Sequence, residues 1–435
     1  MIGPLKAGVS EIEYKPPLGL MMADGAPVAN GYLTPLYVKA LVLANGYEEV
    51  AIVTLDLLAL DQRDADRAAQ LAYERCGVPR DNILMTCSHT HVAPSSTPSS
   101  AAYRLAFNPH YNEQTRQREL AFVDMIVETI AEAVCRAKAD LQEASLGVAT
   151  ADLPWLTFNR RRHTRNYGVW THWMKIPPNQ AYRPEGPLDP ELGLLVVRDA
   201  AHRPLGLVWN MSGHNSFNFG DLYSADLAYT VQAALDERLG EHVPCLYTPG
   251  CGANTNYFDY GQPGGLEKAT EGVASAIVAI YREACTRPEV RLGARRCELF
   301  FAPRDYSRYW WKHDIATKLP HWTSYGQLVM EFRAAELKER ATFQFVVTAL
   351  RLGEVALVGL PGEVFVEFGL EIKRRSPFKQ TYVASYSNGH AGYIATRRAF
   401  IGGSYEAWHG SARVGREGGY LMVDKAVELL EELSC

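Results

Sequence analysis

The segment Cys87-Ser88-His89-Thr90-His91 carries two imidazoles two residues apart at the end of an apolar run. In extended backbone such residues point to the same side, so the two rings converge where the strand stops. Neutral imidazole is a common zinc donor, and strand-end loops are where α/β sheets place ligands. Twelve histidines in this chain give His-x-His by chance often enough that packed core histidines are the competing account. A third histidine, His214, stands in Asn210-Met211-Ser212-Gly213-His214-Asn215-Ser216, again where an apolar strand ends. Taken singly, a loop histidine hydrogen-bonded to Asn215 or Ser216 is the simpler account. Glu363, in Leu360-Pro361-Gly362-Glu363, sits between a strand and a helix; it is either an oxygen ligand or a helix-capping carboxylate, and alone capping is the plainer choice. Asn388-Gly389-His390-Ala391-Gly392-Tyr393 follows, with Tyr405-Glu406 twelve residues after the tyrosine. The chain has 23 tyrosines, so neither of these two speaks for function by itself.

The elements that must hold these residues read as α/β. Residues 49–55 are β-branched and too short for a helix, which predicts a strand. Asp61 can cap a helix through Arg75, Gly77-Val78-Pro79 ends it, and residues 82–87 form the next strand, a β-α-β pattern. Apolar residues at three- and four-residue spacing predict a helix over 116–141 that lies against a sheet. Strands at 193–197, 205–211, 244–248, 292–301, 342–350 and 355–360 then alternate with helices at 225–239, 266–282, 363–374 and 420–433, with a hairpin turn at Leu352-Gly353-Glu354. Residues 154–190 have no periodicity, a length that suggests a functional loop or cover. With no linker, repeat or charge block, one large unit over residues 1–435 is the economical reading: a mixed α/β to α+β fold with a continuing mixed sheet flanked by helices.

At 435 residues, 47% hydrophobic and 21% charged, the chain is an ordinary globular sequence. A net charge of -5 provides no field for nucleic acid or anionic lipid, so neither partner is expected. No basic and apolar leader opens the sequence and no run of about 18 apolar residues occurs, so a soluble, cytoplasmic protein is expected. The eight cysteines are scattered and read as reduced thiols, Cys251 among them as a small buried residue.

Taken together, these residues resemble the neutral ceramidase family, zinc-dependent amidases whose catalytic domain carries a His-Thr-His segment, a later His-Gly loop, a Pro-Gly-Glu turn and two tyrosines twelve apart. The resemblance runs from Ala7-Gly8-Val9-Ser10 through Asp56, His89-Thr90-His91, Leu188-Asp189-Pro190, Ser224-Ala225-Asp226 and Pro361-Gly362-Glu363 to Tyr405-Glu406, with the second histidine following its glycine as Gly213-His214. It implies a ceramidase-like metallohydrolase fold and a zinc held by His89, His214, Glu363 and Tyr393, with His91, Arg160 and Tyr405 lining the reaction centre. A zinc so held lowers the pKa of its water toward about 7 and polarises a carbonyl. His91 would then shuttle a proton, and Tyr405 and Arg160 would donate to the developing oxyanion. Arg160 is matched within Phe158-Asn159-Arg160; a solvated basic loop is the plain account of Arg161, Arg162 and Arg165.

The chain departs from the family at several places. Gly252-Ala253-Asn254-Thr255-Asn256 stands for the family's Ser-Pro loop, so Thr255 keeps a hydroxyl and loses the proline. Val92-Ala93-Pro94 follows His91, and His390 stands where a tyrosine is common in the family; by the resemblance both positions would border the cleft. The sequence ends at Cys435 without the family's C-terminal immunoglobulin-like domain, so a soluble substrate other than ceramide is expected. Trp155, Tyr167, Trp170 and Trp173, and Tyr309, Trp310, Trp311 and Trp322, are packing clusters or, alternatively, platforms for a sugar ring, with the Arg160–Arg165 run meeting an anionic group. The leading expectation is a zinc hydrolase of an amide (C–N) bond in a small soluble molecule. The alternatives are hydrolysis of an ester, lactone or glycosidic bond on the same scaffold, and a non-catalytic ligand-binding homologue.

Overall fold

The computed structural model describes residues 1–22, 28–94, 96, 112–165, 168–174, 179–258, 263–301, 304, 342–408 and 410–435. Tyr167, Tyr309, Trp310, Trp311 and Trp322 lie outside them. Two sheets carry the fold, and their strands in chain order are β1 (Ile2–Pro4), β2 (Lys6–Tyr14), β3 (Leu36–Ala44), β4 (Glu49–Leu55), β5 (Ile83–Cys87), β6 (Gln142–Asp152), β7 (Glu191–Asp199), β8 (Pro204–Met211), β9 (Cys245–Pro249), β10 (Glu289–Phe301), β11 (Phe343–Leu352), β12 (Val355–Gly359) and β13 (Gln380–Ala384). The helices packed on them are α1 (Gln62–Cys76), α2 (Glu113–Ala139), α3 (Leu227–Leu239), α4 (Gly265–Tyr281), α5 (Val366–Arg375) and α6 (Gly418–Ser434).

The larger sheet runs β9-β8-β7-β6-β2-β3-β4-β5, with the short strand Thr286–Arg287 beside β6; the smaller runs β1-β10-β11-β12-β13. Three neighbouring pairs are parallel: β4 with β5, β8 with β9, and β12 with β13. A parallel pair needs a crossover, and α1, α3 and α5 supply one each. Local chemistry sets the first of them: the Asp61 side chain accepts the Arg63 N–H at 2.9 Å, and Gly77 closes α1 in the left-handed region at φ 74°.

The sheets stack face to face. Leu41, Ile52, Leu84 and Leu246 of the larger meet Leu292, Leu350, Leu357 and Tyr382 of the smaller in one apolar layer. Helices cover the outer faces: α1 and α2 over β2 to β5, α3 and α4 over β7 to β9, and α5 and α6 over the smaller sheet. The order is helix, sheet, sheet, helix. Among the described residues no helix is long and apolar enough to cross a membrane.

The mixed α/β class expected from sequence is the one observed, with the strands divided between two sheets where one continuing sheet was expected. Strands covered on both faces are apolar throughout, so their pattern carries no record of which neighbour they pair with. The helix expected from 363 begins at Val366, because Glu363–Val364 form a two-residue parallel bridge with Tyr393–Ile394. Residues 154–190 are not irregular throughout: Arg161–Thr164 pairs with Val169–Thr171 and with Ala181–Pro184.

Candidate metal centre

The carboxyl ends of the three parallel pairs meet at one place, where α/β sheets put their ligands. His89 and His91 follow β5, His214 follows β8, Thr255 follows β9, Glu363 follows β12, and His390 and Tyr393 follow β13. Backbone bonds tie the ends together: Cys87 N–H to Tyr386 O at 3.3 Å, Ser385 N–H to Pro249 O at 2.9 Å and Tyr386 N–H to Gly362 O at 3.0 Å.

His214 Nε2 lies 3.2 Å from His89 Nε2 and 3.0 Å from His91 Nε2, so three imidazoles converge on one point. His89 Nδ1 lies 2.9 Å from the Leu58 carbonyl, which can only accept; the proton therefore sits on Nδ1 and Nε2 presents a lone pair. The ring is further held by stacking on Tyr386, 3.9 Å between centroids. His89 itself occupies the left-handed region at φ 60°, a conformation that costs energy for a residue with a side chain. Burial lowers the pKa of both His89 and His214, the latter with help from the Arg160 charge, so both are neutral donors at pH 7.

Glu363 Oε2 is 3.5 Å from His89 Nε2, and Glu363 Oε1 is 3.6 Å from His390 Nε2. Glu363 Oε2 is buried and has no hydrogen-bond partner. The buried Tyr393 hydroxyl accepts Arg160 Nη2 at 2.9 Å; burial first, then the Glu363 charge, pushes its pKa well above the usual phenol range. This donor set fits zinc. A single proton at His214 Nε2 can serve only one of its two imidazole neighbours, and an orphaned carboxylate oxygen stands beside them; lone pairs facing a common point are what a nitrogen- and oxygen-ligated cation requires.

Arg160 is almost fully buried and held on three sides, its Nε donating to Glu406 at 2.8 Å and its Nη1 to Asn256 at 3.3 Å, besides the bond to Tyr393. Arg161 donates to the other Glu406 oxygen at 2.6 Å and pairs with Glu185. Burial would raise the Glu406 carboxyl, but the guanidiniums of Arg161 and Arg160 hold it below its ordinary value. Two cations and two anions thus form a closed buried network.

All eight residues inferred from sequence occupy this region. His91 differs in detail: its Nε2 stands with the other two as a third imidazole of the cluster. His214 does not bond to Asn215 or Ser216 through its ring; its backbone N–H donates to Thr255 O at 3.1 Å and its ring meets the other histidines. Thr255 is fully buried, its hydroxyl has no hydrogen-bond partner, and Thr255–Asn256 pairs with Phe158–Asn159, which brings the Arg160 loop to the histidines. Tyr405 is half-buried and edge-on to Tyr393 at 5.4 Å and to Trp173 at 5.2 Å.

Three expectations are corrected. Glu363 is not a cap, since α5 starts at Val366 with Phe365 at its N-cap and no side-chain cap bond. Arg161 is not part of a solvated loop but is wholly buried, because Glu406 and Glu185 compensate its charge. The described tryptophans of the first cluster do not form one platform: Trp155 is 66% exposed beside Gly272 of α4, Trp170 is buried, and only Trp173 packs on Tyr405. Cys251 is buried with its thiol pushed up to about 12 by burial, the inert packing residue expected. Glu406, Asn256 and Tyr386 were not singled out from sequence; of these only Glu406 carried a signal, its place beside Tyr405.

No protein-family model matches the chain. Two solved structures share its fold. Neutral ceramidase from Pseudomonas aeruginosa is 18% identical, with a TM-score of 0.72 over 99% of this chain and 75% of that one. A ceramidase complexed with C2 is 17% identical, with the same TM-score and coverage. The resemblance read from the sequence is therefore met in three dimensions, and the chain has the ceramidase fold.

Proposed function

We propose that this chain is a zinc-dependent hydrolase that cleaves the amide bond of an N-acylated amine. The observation that carries the reading is the convergence of His89, His91 and His214 at 3.0 and 3.2 Å beside the orphaned Glu363 oxygen. His89, His214, Glu363 and Tyr393 would hold the metal, as the resemblance implies. When bound, zinc supplies Lewis acidity, which activates water at neutral pH and polarises a carbonyl. The neighbours are named ceramidases, and ceramide is a fatty-acid amide, which supports an N-acyl amine as the substrate class.

The chain's own residues divide the remaining work. His91, neighbour to His214 at 3.0 Å rather than an assigned ligand, would carry a proton to the departing amine. Arg160 is fixed by Glu406 and Asn256 before substrate arrives, so its charge near Tyr393 needs no reorganisation to face a developing oxyanion. Tyr405, at the half-buried lip, would add a second donor. An anionic substrate gains no support from Arg160 and Arg161, because Glu406 and Glu185 balance both charges.

The test is metal content by mass spectrometry beside hydrolysis of a matched amide and ester. The parent is expected to hold about one zinc per chain, His89→Ala and His214→Ala little, and the amide to be cleaved by the parent alone. A parent grown with zinc that holds none overturns the metal reading, and cleavage of the ester but not the amide overturns the bond assignment.

A further inference from the structure

A second pocket, of about 230 Å³, lies between α3 and the larger sheet, lined by residues of β2, β3, β4 and β9 and by Asp56 and Ser88 at the strand ends. Most of its charge is internally balanced. Lys39 Nζ donates to Glu11 at 2.6 Å, to Gln232 Oε1 at 2.7 Å and to the Cys245 carbonyl at 3.2 Å, which uses all three of its N–H groups. His242 stands between Glu11 at 2.6 Å and Asp236 at 2.8 Å. Two cations therefore meet two carboxylates.

Asp56 is left over. It is 7% exposed and accepts the Tyr37 N–H at 2.9 Å, and among the described residues no cationic side chain lies in hydrogen-bonding contact with it. Beside it the Ser88 hydroxyl, 1% exposed, faces the Asp56 carboxylate. A buried carboxylate with no cation in direct contact is costly, and Lys39 acts on this one only from a distance, its three N–H groups being taken elsewhere. Thr54 also faces the space, and Tyr37, Tyr229 and Tyr247 give it aromatic walls.

We infer that this pocket binds a small primary ammonium, its N–H groups shared among the Asp56 carboxylate and the Ser88 and Thr54 hydroxyls, its alkyl part against the tyrosines. A divalent metal fits less well, because it demands about six oxygen ligands and the floor offers one carboxylate and two hydroxyls. An anion meets Asp56 with the wrong sign. Aromatic walls favour an organic cation over a bare ion. Ser88 borders this pocket while the next residue, His89, belongs to the metal centre, so the two sites adjoin without sharing a side chain.

Calorimetric titration of the full chain with propylammonium chloride, tetramethylammonium chloride, sodium acetate and magnesium chloride at equal ionic strength tests this directly. Saturable binding is expected for propylammonium alone, weakened about tenfold or more in Asp56→Asn, since a charge-assisted hydrogen bond contributes about 1.5–3 kcal/mol. Ser88→Ala and Thr54→Val should weaken it less, and they carry the comparison should Asp56→Asn fail to fold. The inference is overturned by no saturable propylammonium binding, by equal binding of tetramethylammonium, by magnesium binding in its place, or by affinity unchanged in all three variants.

Discussion

Glu406 holds Arg160 in its buried place beside Tyr393. It is completely buried and touches both guanidiniums, so Glu406→Gln keeps the shape and removes the charge, leaving Arg160 and Arg161 with Glu185 as the remaining carboxylate of the network. Breaking a buried pair from one side costs about 3–5 kcal/mol. Urea denaturation of Glu406→Gln is expected to show a loss of that order, while the proposed zinc content stays at the parent's level because none of the residues proposed to hold the metal has changed; a variant as stable as the parent would contradict the network. Asp56 provides a second test with a definite sign. Burial raises its carboxyl from 3.8 to about 6, so between those values the folded chain binds more protons than the unfolded one. Its contribution to stability is present below about pH 3.8 and lost as pH rises through about 6. About two pKa units correspond to ~3 kcal/mol at most. The stability of Asp56→Asn relative to the parent should therefore rise between pH 4 and pH 7.5, and urea melts at the two values read the difference; a pH-independent difference would place the folded pKa near the unfolded one.

Gly362 is where element geometry becomes site geometry. It stands at φ 103°, and a Cβ there would lie 2.6 Å from the Gly392 carbonyl, so the turn after β12 has room for glycine alone. The Glu363 N–H bonds that same carbonyl at 3.0 Å, which fixes the carboxylate toward the histidines. Gly362→Ala should lower the melting temperature and, more tellingly, zinc occupancy at stoichiometric metal; full occupancy would show that the turn is not what delivers Glu363. This turn also explains what the sequence could and could not reveal. The first β-α-β unit was legible because its signals are local: β-branched residues in β4, the Asp61 cap and Gly77 at the end of α1. His89 and His214 were legible because each directly follows an apolar strand. Glu363 read more plainly as a cap because its bridge to Tyr393 is long-range, and Arg161 read as solvated because its counter-charge, Glu406, lies 245 residues away. Strand β3 was not singled out from sequence; it contains Lys39, a charge buried beside Glu11 and Gln232.

At the scale of the whole molecule, the donors proposed for the metal come from both sheets. His89, His91 and His214 follow strands of the larger sheet, while Glu363 and Tyr393 follow strands of the smaller. Besides the apolar layer between the faces, a bound cation would thus join the sheets at their shared end. A ligand that binds only the folded chain stabilises it by RT ln(1 + [L]/Kd), about 4 kcal/mol at a free concentration of 1,000 Kd. Two outcomes distinguish a junction from a local clip. If the sheets unfold together, calorimetry should show one transition that moves down as a whole on chelation and is restored by zinc, with amide exchange rising both near His214 and near Glu363. A clip within one sheet would instead leave part of the transition in place and confine faster exchange to that sheet. The face-to-face packing of Ile52, Leu84 and Leu246 against Leu350, Leu357 and Tyr382 favours the first outcome, because apolar surface shared by the sheets cannot be exposed on one without being exposed on the other.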